Sequence, residues 1–105
     1  MARFDLYRNT GHHADTTPYL LDVQSNHLQG LATRVVIPLR RRDTFAQVKL
    51  PFDLTPVFVI EDIECFLDTP KLAAIPAREL GSVVVFLGHH QSAITGAIDR
   101  LFGAF

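Results

Sequence analysis

Five histidines, one cysteine and a run of three arginines are the residues of this chain with chemistry to offer. His12-His13 and His89-His90 are adjacent pairs, and neighbours on a strand or a helix point in different directions, so neither pair turns two rings onto one ion. The His-x-x-x-His spacing that would do so is absent, and a lone Cys65 supplies no thiolate set for zinc, so no metal or other cofactor is expected. Nucleophilic catalysis has no Gly-x-Ser-x-Gly turn to rest on, and the scattered glycines build no phosphate-cradling loop. Arg40-Arg41-Arg42 is different in kind. Guanidinium forks grip carboxylates bidentately, which suits an acidic or disordered partner better than a phosphate backbone.

Charge and composition narrow the field. Ten basic residues against eleven acidic give a formal charge of −1, so the overall basic excess of a nucleic-acid binder is missing. The single cysteine excludes an internal disulfide, fits a reducing compartment and is expected as a buried or half-buried structural thiol. No basic stretch followed by an apolar one opens the chain and no run approaches a membrane span, so a cytoplasmic protein with no membrane partner is expected. One domain over residues 1–105 is the natural reading. A domain of that size buries only about two-thirds of its unfolded surface, and a second copy would supplement the core, so a homodimer is expected.

The elements that would position these groups are mostly short strands. Arg3–Arg8 alternates apolar and polar residues, Tyr19–Gln24 reads as its hairpin partner, and Arg34–Leu39 is β-branched with Pro38 near its end. Arg40–Pro51 is ambiguous, its charges suggesting an excursion out of the sheet. Pro56–Ile60 and Ile63–Leu67 flank a tight turn at Glu61-Asp62, Thr69–Pro76 is a short strand candidate, and Ser82–Leu87 is an unbroken apolar run, buried on both faces or at an interface. Ile94, Ala97, Ile98, Leu101 and Phe102 then fall on one stripe of a closing helix that begins near Gly88 or His89. Gly96 sits inside that helix at a cost of about 1 kcal/mol relative to Ala, which close approach of a second helix would explain. Phe105 at the end must be tucked in or offered to another protein as an aromatic anchor. Five to seven strands and one helix make an α+β domain on an antiparallel sheet.

Several segments together resemble the CcdB family: Phe4 with Tyr7, Leu21-Asp22-Val23-Gln24-Ser25, Val36-Ile37-Pro38-Leu39, Pro56-Val57-Phe58, Ile75-Pro76 and Ala97-Ile98-Asp99-Arg100-Leu101-Phe102. They occur in order over nearly the whole chain, and Leu21 to Leu39 needs no gap. The resemblance implies a homodimer built on a five-stranded antiparallel sheet with a small accessory sheet and a C-terminal helix, a CcdB/MazF-like barrel. It implies a toxin of a type II toxin–antitoxin module, not itself an enzyme, which binds the A subunit of DNA gyrase and traps its DNA-cleavage complex. A CcdA-like antitoxin with a disordered C-terminal segment would neutralise it. Carried over position by position, the gyrase surface comprises Ser25, His27, Leu28, Ser92, Asp99, Gly103, Ala104 and Phe105.

Departures from the family pattern fall on that surface. His27 and Leu28 stand where the family has two isoleucines, and Ser92 and Asp99 where it has asparagines. Gly103-Ala104-Phe105 replaces a terminal Trp-Gly-Ile, and the chain contains no tryptophan. The lost tryptophan opens one alternative, a scaffold that has lost or changed gyrase poisoning. The resemblance leaves room for another, an endoribonuclease toxin of the same MazF-like fold, with Arg40–Arg42, Asp22 and the histidines as its phosphate-binding and acid–base groups. The antitoxin is expected at Arg40, Arg41, Arg42 and Asp43, in the Arg40–Gln47 loop, by charge complementarity.

Overall fold

The computed structural model describes residues 2–45 and 49–103. Seven strands precede one helix: β1 (Asp5–Arg8), β2 (Tyr19–Asp22), β3 (Thr33–Arg41), β4 (Val57–Ile60), β5 (Ile63–Leu67), β6 (Ala73–Pro76), β7 (Val83–Phe86) and α1 (Gln91–Phe102). All pairings are antiparallel, in the order β4-β5-β3-β2-β1-β7. The sheet curls around a core of Leu6, Tyr19, Leu21, Ile37, Leu39 and Leu67, and α1 closes it by inserting Ile94 and Ala97.

The fold is the expected α+β arrangement, with one difference in the count. A five-stranded sheet beside a separate small one gives way to a single seven-stranded sheet, because β3 is nine residues long. Its first half pairs with β6 through Thr33–Val36, and its second half pairs with β5 through Leu39–Arg41, along the same edge. The would-be accessory hairpin is thereby stitched to the main sheet. Glu61 and Asp62 form the tight turn between β4 and β5 with φ of 51° and 64°, the two left-handed residues of a type I′ hairpin.

Three expectations need correction. Arg40 and Arg41 do not leave the sheet. They end β3, where the Arg41 amide donates to Thr16 O at 2.8 Å, and Arg42 opens the turn with its amide on Glu64 O at 2.9 Å. Tyr19–Gln24 stops being a strand at Asp22, because the side chains of Asp22 and Gln24 take over backbone hydrogen bonding there. The helix stripe is shorter than its spacing suggests: Ile94 and Ala97 are buried, Ile98 and Leu101 half-buried, but Phe102 is 68% exposed. Cys65 is buried as expected, and burial pushes its thiol up to about 11. Among the described residues no helix is long and apolar enough to cross a membrane.

Candidate functional site

The site residues carried by the resemblance fall on two supports. The first is a 3₁₀ turn, Asn26–Leu28, directly after β2. Its rigidity starts inside the protein. Asp22 and Arg34 are both fully buried, and Arg34 clasps the carboxylate with Nε at 2.8 Å and Nη2 at 3.0 Å. Burial lifts the Asp22 carboxyl above the ordinary range, while the Arg34 fork and the Gln24 amide pull against that rise. Gln24 is the second half of the device. Its Oε1 accepts from the Val35 amide at 2.9 Å and its Nε2 donates to Leu28 O at 3.1 Å, so a buried side chain spans from β3 to the turn.

Ser25 then caps the turn, its Oγ accepting from the His27 amide at 3.2 Å. From the other side, the Arg3 amide donates to Asn26 Oδ1 at 2.8 Å and Arg3 Nε to Val23 O at 3.0 Å. Phe4, buried and left-handed at φ 75°, lies between these anchors and the sheet; its amide donates to Asp22 O at 2.6 Å. The outcome is a tightly held turn whose His27 and Leu28 side chains stand exposed. An exposed leucine on a preorganised backbone binds a partner without first ordering a loop.

The second support is the outward face of α1. Ser92 and Asp99 are seven residues apart and share one side of the helix, and both are exposed. Ser92 and Gly103 line a groove of about 610 Å³ with Ala93, Gly96, Arg100, Phe52 and Asp53. Arg100 Nε holds Asp53 at 2.9 Å, pinning the Phe52-Asp53 turn against the helix. A Cβ on Gly96 would meet nothing within 4 Å, so no packing within the described chain demands glycine there. Gly103 has a definite local job. At φ 74° it is the left-handed residue that ends α1, its amide donating to Asp99 O.

Among the described residues, no side-chain hydrogen bond or ion pair joins the turn to the helix; each support is held by its own anchors. Ala104 and Phe105 lie outside the described residues. Phe52, Asp53 and the Asp22–Arg34 pair were missed by sequence reasoning. Only the β2–β3 register, Asp22 opposite Val36, brings Arg34 diagonally within reach of Asp22.

The arginine run is engaged inside the chain. Arg40 faces Asp68 at 3.1 Å, Arg41 faces Asp43 at 2.9 Å and Arg42 faces Glu64 at 3.3 Å. Hydrogen bonding from Arg41 holds the Asp43 carboxyl below the usual carboxylate range. Arg41, Arg42, Asp43, Asp62 and Glu64 line a polar groove of about 630 Å³ in which carboxylates outnumber guanidiniums. Gln47, the far end of the expected loop, lies outside the described residues. Asp22, the acid–base group of the ribonuclease alternative, is sealed from solvent beneath Arg34. The histidines are exposed at three separate places, His12-His13, His27 and His89-His90, and the rings of His89 and His90 have centres 5.7 Å apart.

A family model described as CcdB protein matches residues 3–103. The chain belongs to the CcdB family. That membership covers the Asp22–Ser25 segment, the capped turn and the whole of α1, so both supports lie inside the matched region. It places the chain among toxins of toxin–antitoxin modules that act on DNA gyrase, a family that poisons its target rather than turning over a substrate.

Proposed function

We infer that this chain is the toxin of a type II toxin–antitoxin pair, and that as a homodimer in the cytoplasm it binds the A subunit of DNA gyrase and traps the DNA-cleavage complex. The family match over residues 3–103 carries the reading. The contacts are assigned to Ser25, His27 and Leu28 on the capped turn, to Ser92, Asp99 and Gly103 on α1, and to Ala104 and Phe105 beyond it. A CcdA-like antitoxin neutralises it through an acidic disordered segment that competes with Asp43 and Glu64 for Arg41 and Arg42, beside Arg40. The deciding assay is purified gyrase with supercoiled DNA: linear product should accumulate with added chain and vanish with antitoxin. Unchanged supercoiling and no linear DNA, with gyrases from several sources, would reject it.

A second reading is favoured by one observation, the absence of tryptophan at Gly103. On that reading the scaffold keeps its antitoxin but has lost or changed its hold on gyrase. Gly103→Trp separates the two. Among the described residues nothing lies within 4 Å of a Cβ at that position, but the left-handed backbone there costs a non-glycine residue about 1 kcal/mol. A gain of linear DNA in the Gly103→Trp protein, from none in the parent, would establish the second reading.

A further inference from the structure

The two ends of the curled sheet, β4 and β7, face each other across an open groove of about 470 Å³. Its walls are Val57, Val59 and Ile60 on one side and Val84, Val85 and Leu87 on the other, with His89 and His90 at its mouth. Both walls are strand edges. The hairpin register pairs Ile60 with Ile63 next to a two-residue turn, so Ile60, Phe58 and Pro56 bond to β5 while the peptide groups of Val57 and Val59 point the other way, into the open. Among the described residues β7 likewise bonds only to β1, with a register shift at Val84, so its other edge is left without a strand partner.

The side chains compound the exposure. Val59 is 66% exposed and Val85 38%, and β7 carries no charge or proline; only its four-residue length and the register shift at Val84 work against pairing along its edge. The apolar Ser82–Leu87 run is thus not buried on both faces, and nothing among the described residues covers its free edge.

The geometry points to this seam as the receptor for an extended segment of a partner protein, inserted between β4 and β7 as an added strand. Only a backbone in strand conformation presents donors and acceptors alternately along both of its sides, as two facing edges require. Each wall is four residues long, so the segment needs about four to six residues, with β-branched side chains alternating toward the valines. A carboxylate is favoured at the end nearest His89-His90, where the amino end of α1 adds its partial positive charge. Glu61 in the same groove does not oppose this strongly, because Arg8 at 3.1 Å and the Tyr19 hydroxyl at 2.6 Å already occupy it. A second copy of the chain fits less well: β7 paired to β7 across a two-fold axis would cover one wall and leave Val57 and Val59 open. The seam stands apart from the turn and helix face assigned to gyrase, and a chain without effect on gyrase would still carry it.

Phage-displayed random ten-residue peptides panned against the full chain test the proposal, with enriched peptides synthesised and titrated by fluorescence anisotropy. Enrichment of alternating β-branched sequences with an acidic end is expected, with the fast-exchanging Val57 and Val59 amides becoming protected on binding. Val59→Lys and Val85→Lys, both at exposed positions, should each weaken binding tenfold or more. Val59→Pro should do the same by removing one outward donor and no bond of the hairpin, with circular dichroism confirming the fold. No enriched sequence, or binding that survives all three substitutions, would overturn the proposal. So would Val57 and Val59 amides already protected in a free dimer that Val85→Lys dissociates, since a second copy would then hold the seam.

Discussion

At one end of β3 Arg34 meets Asp22 with neither side chain reaching solvent, whereas at the other end Arg41 and Arg42 meet Asp43 and Glu64 in the open. The chemistry is the same and the consequences are opposite. Removing water from two charges is costly, so the inner pair persists only with its fork engaged and is severely destabilised if one partner goes. The outer pairs exchange with water at almost no cost, which leaves their guanidiniums available to another protein. The conspicuous arginines of the sequence are thus the dispensable ones for the fold. The inconspicuous Arg34, next to a run of valines, holds the turn that presents His27 and Leu28.

The largest effect should come from breaking the inner pair. Arg34→Ala leaves a buried carboxylate unpaired and should cost about 3–5 kcal/mol in urea unfolding. An Arg34→Met, Asp22→Leu double variant removes both charges and should regain more than half of that loss. If the double variant is as unstable as the single, the pair's value lies in the hydrogen bonds to the Gln24 backbone rather than in charge balance. Either variant should loosen the Asn26–Leu28 turn, visible as faster exchange of the Leu28 amide.

A gain of stability is expected at the β4–β5 turn. Asp62 adopts φ 64° where type I′ turns favour glycine. Asp62→Gly should stabilise by roughly 0.5–1 kcal/mol, because relief of the left-handed backbone outweighs the extra chain entropy that glycine loses. A loss instead would mean that Asp62 contributes a contact to the polar groove beside Arg41 and Arg42, making the outer cluster less dispensable than its exposure implies.

Much of this layout was legible in the sequence, and what was not shares one cause. Alternation and β-branching located six of the seven strands within about two residues, Thr69–Pro76 began four residues ahead of β6 because Thr69–Lys71 forms a 3₁₀ turn, and the helical spacing correctly put Ile94 and Ala97 in the core. Those signals are local. Arg34 in a β-rich run reads as a polar position facing outward, and only the register across β2 reveals an acidic partner underneath. Arg40 and Arg41 read as a loop because charge on a strand is uncommon, yet β5 passes close enough to extend β3 by two residues. For the site, the Asp-Val-Gln-Ser segment was visible as a motif, but its mechanism, a buried amide spanning from Val35 to Leu28, needed coordinates. The apolar Ser82–Leu87 segment announced a buried or interfacial strand, and a strand at the sheet's rim answers to the second description only when something else covers it.

Between the two extremes stands Glu61, an exposed carboxylate backed by a buried tyrosine. Its hydrogen bond from Arg8, then that from Tyr19, holds it below its ordinary value of 4.5. A carboxyl depressed by folding contributes stability that is whole above its unfolded pKa and disappears as pH falls through the folded one. Stability should therefore decline below about pH 4.5 partly through this group, and Glu61→Gln should flatten that acid limb while lowering the plateau at neutral pH. An unaltered acid limb would assign the decline to other carboxylates and return Glu61 to the class of freely exchanging surface pairs.

The smallest effect on folding should come from the outer arginines, and there the comparison meets function. Arg41→Glu with Arg42→Glu should leave the urea midpoint essentially unchanged, because each guanidinium is more than a third exposed and its partner is re-solvated at once. The same reversal puts five carboxylates around one groove and should slow association with an acidic antitoxin segment markedly at low salt, with the difference fading as salt is raised. Stopped-flow mixing at several ionic strengths separates the cases. A double reversal that unfolds the chain would mean the outer pairs are structural after all. One that folds normally and associates at the parent's rate, with the parent's salt dependence, would move the antitoxin elsewhere on the surface.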